Sequence, residues 1–284
     1  MSDGSRGENT IRVVLTGASG FLGREICSYL SESQVDIFPV SRHVTKADGH
    51  IHQVDSYKET PLGDVLIHLA ETADLSEANL KKDCHLNASV SRMASLLRKG
   101  YKKVIYFSSA VVYGDASTGA NSPQQKVRPE FWYGKSKVAC ERIVLDSSPE
   151  NIVVRLSNVY GGKMTNRNVI SDILDQRDNT GPVYIRDGNP VRDFIWVNDV
   201  ARCILKMINS SRGGIFNLGS GTSVSIEELT RTICTLWGTP DRKICSGEVQ
   251  PTFSCLKLDI NKTMQSFDWI PGVSLNRGLR KIIN

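Results

Sequence analysis

The chain has 284 residues, 40% hydrophobic and 23% charged, enough to bury a substantial core in one large domain or two small ones. Its 23 glycines and 10 prolines exclude low-complexity and collagen-like chains, and its net charge of +5, spread without a basic run, suits a small anionic ligand better than nucleic acid. No apolar run approaches the ~18 residues of a membrane span, and Met1–Thr10 is polar, so the expectation is a cytoplasmic protein without a membrane segment. The seven cysteines are scattered and never spaced as Cys-x-x-Cys, so neither disulfides nor a metal site is expected.

In chain order, Ile11–Thr16 reads as a buried strand, and Leu22, Ile26 and Leu30 then mark the stripe of an amphipathic helix. Strands are predicted at Val35–Val40 and Asp64–Ala70, a helix from Leu86, Val90, Met93 and Leu97, a strand at Lys103–Ser108, a helix at Val138–Leu145 and a strand at Asn151–Arg155. Strands alternating with helices build a parallel sheet covered on both faces, so the expected fold class is α/β, a doubly wound parallel (Rossmann) sheet. After Asn158 the rhythm loosens through Gly161-Gly162 and Thr180-Gly181-Pro182, with short helices at Val169–Leu174 and Val200–Ile208. A capping box, Ser225-x-x-Glu228, opens a helix carrying Ile226, Leu229, Ile233 and Leu236. Residues 1–160, rejoined by about 192–218, are expected to form the first domain, with 161–191 and 219–284 as a smaller lobe.

Gly17-Ala18-Ser19-Gly20-Phe21-Leu22-Gly23 sits between the first strand and the first helix, where glycines allow a tight turn and a close approach of backbone to a pyrophosphate. That placement reads the first domain as dinucleotide-binding. In such folds the end of the second strand reads the adenosine ribose, through a carboxylate for NAD or an arginine for the 2′-phosphate of NADP. Here it reads Val40-Ser41-Arg42-His43 with no acid, which favours NADP(H), with NAD as the alternative. Asp55, after the third apolar run, is a candidate partner for the adenine amine.

The strand at Lys103–Ser108 brings Ser108 and Ser109 to the carboxyl edge of the sheet, where open α/β folds bind ligands. Farther on, Tyr133 and Lys137 stand four apart, hence on one face of a helix, and a nearby ammonium eases proton transfer at a phenol by favouring its anion.

With these pieces the chain resembles the extended short-chain dehydrogenase/reductases, the NAD(P)-dependent epimerase/dehydratase family acting on nucleotide sugars. The resemblance rests on Thr16–Gly23, His68-Leu69-Ala70, Ser108-Ser109 with Val112-Tyr113-Gly114, Tyr133 with Lys137, Arg155–Gly161 and Arg192–Val200. It implies that Ser109 is the catalytic hydroxyl with Ser108 in support, that Tyr133 is the acid/base, and that Lys137 holds the nicotinamide ribose and tunes the tyrosine. Leu69 and Ala70 would line the cofactor site. Asn87 and Asn158 would approach the substrate, and Arg192 would pair with its diphosphate. Relatives commonly dimerise through two helices per subunit, here Leu86–Leu97 and Val138–Leu145, so the resemblance offers a homodimer while the sequence itself leaves the oligomeric state open.

Departures from the family pattern sharpen the reading. Ala110 and Val111 follow Ser109 where 4,6-dehydratases carry an acid, which argues against dehydration. Ser41 stands where UDP-hexose epimerases commonly have Asp, which argues for exchangeable NADPH. Glu71 replaces a frequent second alanine and is left without a role. Three functions follow: NADPH-dependent reduction of a nucleoside-diphosphate 4-keto-6-deoxyhexose, NAD-dependent epimerisation of a nucleotide sugar, and NADP(H) binding without turnover.

Overall fold

A computed structural model of the chain describes residues 10–71, 75–114, 119–164, 168–247 and 254–283. The first half contains β1 (Ile11–Thr16), α1 (Phe21–Ser31), β2 (Val35–Ser41), β3 (His52–Gln53), β4 (Val65–His68), α2 (Leu75–Leu97), β5 (Lys103–Ser109), α3 (Trp132–Ser147) and β6 (Ile152–Leu156). There follow β7 (Asn158–Tyr160), α4 (Val169–Leu174), β8 (Val183–Ile185), β9 (Val191–Arg192), β10 (Phe194–Trp196), α5 (Val197–Ile208) and β11 (Gly214–Leu218). The chain closes with β12 (Val224–Ser225), α6 (Ile226–Leu236), β13 (Ile244–Ser246), β14 (Cys255–Leu256), α7 (Asn261–Phe267) and α8 (Leu275–Ile283). Among the described residues no helix is long and apolar enough to cross a membrane.

A seven-stranded sheet runs in the order β11-β6-β5-β4-β1-β2-β3, and the strands from β5 to β3 pair in parallel. This is the doubly wound α/β arrangement. The chain works outward from β1 in one direction through β2 and β3, then returns to β4 and builds the other side. The crevice where such a sheet reverses lies between β1 and β4, in register at Thr16 and His68, and ligands of open α/β sheets bind beyond the carboxyl ends of strands at that point.

The chain divides into two compact units. The first comprises the residues up to Ser108, with Phe131–Val154 and Ala201–Ile215. Its core collects Val14, Val40, Leu66, Met93, Leu96, Tyr106, Cys140 and Val153, all buried. The strands are continuous apolar runs because helices cover both faces of the sheet: β4 is buried at all its positions. α1 buries Gly23, Ile26, Cys27 and Leu30 as its spacing predicts. α2 starts at Leu75, ahead of the predicted Leu86, because its first turns are polar and carry no apolar stripe; at Lys82 the backbone leaves helical geometry with φ of 43°.

The second unit comprises Ser109–Glu130, Arg155–Val200 and the residues from Phe216 onward. Its core packs Tyr160, Ile170, Ile173, Phe194, Trp196, Ile226, Leu229, Ile233 and Leu279. Short strands pair within it as β7 with β10, β9 with β12 and β14, and β8 with β13. The capping box is formed: Ser225 Oγ accepts from Glu228 N at 3.1 Å, and Glu228 Oε2 accepts from Ser225 N at 2.8 Å.

Candidate active site

β1 delivers Thr16 to the carboxyl edge of the sheet, and the chain turns away through Gly17, whose φ of +80° is left-handed. Gly17 and Ala18 donate their N–H groups to Val40 O at 2.9 and 3.1 Å. A Cβ on Gly23 would lie 2.2 Å from Gly17 O, so the absence of a side chain there is what lets α1 press against the turn. Gly20 caps α1 without a side-chain hydrogen bond, leaving the first-turn amides uncapped by any side chain. A bare helix N-terminus beside a glycine turn fits the pyrophosphate of a dinucleotide, through dipole and donors together. Phe21, Leu22 and Ser19 complete the turn, with Ser19 Oγ 2.6 Å from Ser41 Oγ.

Ser41 ends β2 buried at 4% exposure, tied to the turn by that hydroxyl pair. Arg42 follows on the exposed side with its guanidinium carbon 5.5 Å from the centre of the Tyr57 ring. It lines a cavity of about 230 Å³ together with Asp55, Tyr57, Lys58 and Arg92, and a second of about 310 Å³ together with Ala70, Glu71, His85 and Arg92. The loop after Arg42 is anchored by a two-pronged contact from Arg24 to Asp48 at 2.9 and 3.0 Å, and Thr45 Oγ1 donates to the same carboxylate at 2.7 Å. Arg92, which lines both cavities, is not singled out by the sequence, since nothing in the helical pattern of α2 distinguishes it from a solvated arginine. Asn87, on the same helix, is exposed.

Leu69 and Ala70 follow β4, with Leu69 N donating to Thr16 O at 3.1 Å. Ala70 N lies 3.0 Å from where a Cβ on Gly17 would stand, so the glycine turn and this segment face each other across the crevice. Behind them His68 is wholly buried, its Nδ1 2.7 Å from Thr16 Oγ1, and burial pushes its imidazole down to about 4.

α3 begins at Trp132, whose N–H donates to Asn79 Oδ1 at 2.9 Å, so Tyr133 and Lys137 lie in its first turns. The sequence periodicity placed this helix only from Val138, because its opening residues are aromatic and polar. Lys137 is buried and its ammonium donates to Glu71 Oε2 at 2.7 Å and to Phe107 O at 2.8 Å, with Nζ 5.6 Å from the Tyr133 ring centre. Burial opposes both charges, but the attraction between them prevails, holding the Lys137 ammonium above its ordinary range and the Glu71 carboxyl below its own. Tyr106 OH donates to Glu71 Oε2 at 3.0 Å. Ser108 donates to the buried Glu141 of α3, and His85 Nε2 is 3.1 Å from Ser136 Oγ. Ser108 is thereby committed to the fold, whereas Ser109 is half-buried and accepts a long 3.4 Å bond from Val111 N.

In the second unit, Asn158 is exposed and its Nδ2 donates to Asp193 O at 3.1 Å. Arg192 is half-buried; its guanidinium donates to Val191 O, Ser254 O and Ser254 Oγ at 2.9, 3.1 and 2.6 Å, which sets its orientation. The parallel pairing of β7 with β10 sets Asn158 opposite Phe194, two residues after Arg192 at the end of β9. Asp193 is completely buried and accepts from Ser220 N, Ser220 Oγ and Gly221 N. Among the described residues no cluster of three or more His, Cys, Asp or Glu is arranged to hold a metal ion.

Residues 13–219 match the profile of the NAD dependent epimerase/dehydratase family, well over half of the chain. The chain belongs to this family. The epimerase/dehydratase family comprises NAD(P)-dependent enzymes, and its curated members similar to this chain act in more than one way. A putative UDP-glucose 4-epimerase of Methanocaldococcus jannaschii is 26% identical over 298 aligned positions, covering 96% of this chain and 97% of its own. A dTDP-4-dehydro-6-deoxyglucose reductase of Escherichia coli is 28% identical over 312 positions, covering 95% and 96%. Among solved structures, RMD from Pseudomonas aeruginosa complexed with NADPH superposes with a TM-score of 0.83 at 22% identity, covering 98% of both chains. These structural likenesses establish the fold.

Proposed function

We propose that the protein is an NADPH-dependent ketoreductase acting on a nucleoside-diphosphate 4-keto-6-deoxyhexose. The observation that carries the cofactor half is the end of β2. Ser41 is buried against Ser19 with no carboxylate to receive ribose hydroxyls, and two arginines, Arg42 and Arg92, converge on one cavity beside Asp55. Paired guanidinium groups suit a 2′-phosphate, with Asp55 for the adenine amine. The reductase half is supported by similarity to reductases from Escherichia coli and Streptomyces niveus and by the absence of an acid after Ser109.

In this reading the uncapped N-terminus of α1 and the turn Gly17–Gly23 hold the diphosphate, Leu69 and Ala70 flank the cofactor, and one Lys137 N–H serves the nicotinamide ribose. NADPH, when bound, supplies the hydride. Ser109 Oγ donates a hydrogen bond to the keto oxygen, and Tyr133 gives its phenolic proton to that oxygen as negative charge develops there. Lys137 stabilises the phenolate left behind, and a proton from solvent restores the phenol for the next turnover. Asn158 and Arg192 receive the nucleotide diphosphate, Arg192 with the orientation that Ser254 imposes.

The epimerase reading has its own support in the similarity to the Methanocaldococcus jannaschii protein. Incubating the purified protein with NADPH and dTDP-4-keto-6-deoxyglucose decides between the two. Stoichiometric loss of NADPH fluorescence with formation of a 4-hydroxy sugar nucleotide is expected. Interconversion of UDP-hexoses without net cofactor consumption would transfer the assignment to the epimerase.

A further inference from the structure

Buried between β4, β5 and α3 is a carboxylate for which neither the cofactor nor the substrate reading has a use. Glu71 and Lys137 are 4% and 6% exposed at their side chains and 2.7 Å apart. A buried ion pair of this kind contributes little stability over an apolar pair of similar volume, because desolvation offsets the attraction. Its presence beside the proposed cofactor residues therefore calls for a reason other than stability. We infer that Glu71 is a positioning residue: its carboxylate keeps the Lys137 ammonium charged and aims its one uncommitted N–H at the nicotinamide ribose. The inference rests on the reading of Lys137 given above.

The geometry accounts for the aim. Of three ammonium hydrogens, one goes to Glu71 Oε2 and one to Phe107 O; the third meets no oxygen or nitrogen acceptor among the described residues, and Nζ stands 5.0 and 5.6 Å from the Tyr106 and Tyr133 ring centres. Glu71 is itself held by Tyr106 OH at 3.0 Å, with Cys140 Sγ 4.0 Å from its other oxygen, so the carboxylate cannot swing away. The remaining charged or titratable neighbours acting on the pair are Tyr133 from α3, His68 from β4, and His85 and Arg92 from α2. Glu71 is the only carboxylate among these groups, and the buried Glu141, one turn farther along α3, accepts from Ser108, so without Glu71 burial acts on the ammonium with its ion-pair partner gone. A neutral amine there would lose a donor and its charge together.

The test uses full-length protein and NADPH as the probe, with affinity measured by fluorescence titration across pH. Glu71→Gln keeps the volume and an acceptor for Tyr106 while removing the charge. It should weaken NADPH about tenfold at neutral pH, with a loss that deepens as pH rises while wild type stays level over the same range. Melting temperatures of Glu71→Gln, Lys137→Met and the double variant form a cycle that stays informative even if one single variant folds poorly. Each single leaves an unpaired buried group, so the double should melt above Lys137→Met alone. NADPH binding by Glu71→Gln that matches wild type at every pH, or losses in melting temperature that simply add in the double, would overturn the inference. If instead Lys137→Met itself binds NADPH like wild type, the reading of Lys137 as a cofactor residue falls; weakened binding there with Glu71→Gln unchanged removes only the role of Glu71.

Discussion

Single side chains carry the proposed chemistry, and their exchange should separate binding from turnover. Tyr133 stands in the first turn of α3, and Tyr133→Phe removes only the phenolic oxygen, so it should keep fold and NADPH affinity while turnover of the keto sugar drops by about 10²–10⁴, the usual worth of a positioned general acid. Steady-state kinetics beside a cofactor titration checks this, and unimpaired turnover would remove Tyr133 from the mechanism. At the other end of the cofactor, Arg42→Ala should weaken NADPH roughly ten- to a hundred-fold, the loss of about 1.5–3 kcal/mol expected for a charge-assisted hydrogen bond, and leave NADH nearly unaffected. Adding Ser41→Asp should turn preference towards NADH, since the new carboxylate can accept from Ser19 Oγ, face the ribose hydroxyls and repel the 2′-phosphate. Parallel titrations of both cofactors against wild type and the two variants measure it. Tighter NADH than NADPH binding by wild type would reverse the cofactor assignment.

At the scale of elements, the junction of β1 and α1 is held by absence of side chains rather than by contacts. A Cβ at Gly23 would meet Gly17 O at 2.2 Å and Ala18 Cα at 2.8 Å, and both are backbone atoms that cannot rotate aside. Gly23→Ala should therefore displace α1, cost about 1–3 kcal/mol as overpacking does, and abolish tight NADPH binding because the helix N-terminus moves with it. Chemical denaturation and cofactor titration on the same variant test both parts; a variant with normal affinity would show that the amides of α1 are not the diphosphate cradle. Gly20 makes a useful contrast, since a Cβ there has 3.4 Å to its nearest neighbour, an ordinary contact.

For the whole molecule, two buried groups with opposite shifts should shape stability against pH. Burial raises the Asp193 carboxyl to about 6, outweighing its bonds from Ser220 and Gly221, so the folded chain holds a proton that the unfolded chain has released. Its contribution is present in acid and is lost as pH rises from about 4 through about 6. Burial lowers His68 to about 4, so the unfolded chain takes the proton first and this contribution is lost as pH falls from about 6.5 through about 4. Each amounts to about 3 kcal/mol at full effect, so they nearly cancel between pH 4 and 6. Asp193→Asn should expose the histidine term: unfolding free energy from urea titrations should then climb steeply with pH over that interval, where wild type stays comparatively flat. A wild-type profile that climbs as steeply as the variant's would mean that Asp193 is ionised throughout, and a flat profile in the variant would mean that His68 adds nothing.

Local signals were legible in the amino-acid order. The glycine spacing at 17–23, the stripe of Ile26 and Leu30, the four-residue step from Tyr133 to Lys137 and the Ser225–Glu228 cap each need only a few neighbouring residues, because turn geometry and helix period are properties of short segments. The doubly wound sheet was legible for the same reason, as alternation of such segments. What only the tertiary structure decided is who meets whom. Glu71 reaches Lys137 because β4 lies beside both β1 and β5 in the sheet and α3 packs over them; Arg92 joins Arg42 because α2 and the segment after β2 line one cavity; Ser108 turns to Glu141 and leaves Ser109 half-buried and loosely held. No periodicity encodes those partnerships, since they follow from strand order and helix docking, which join residues far apart in the chain.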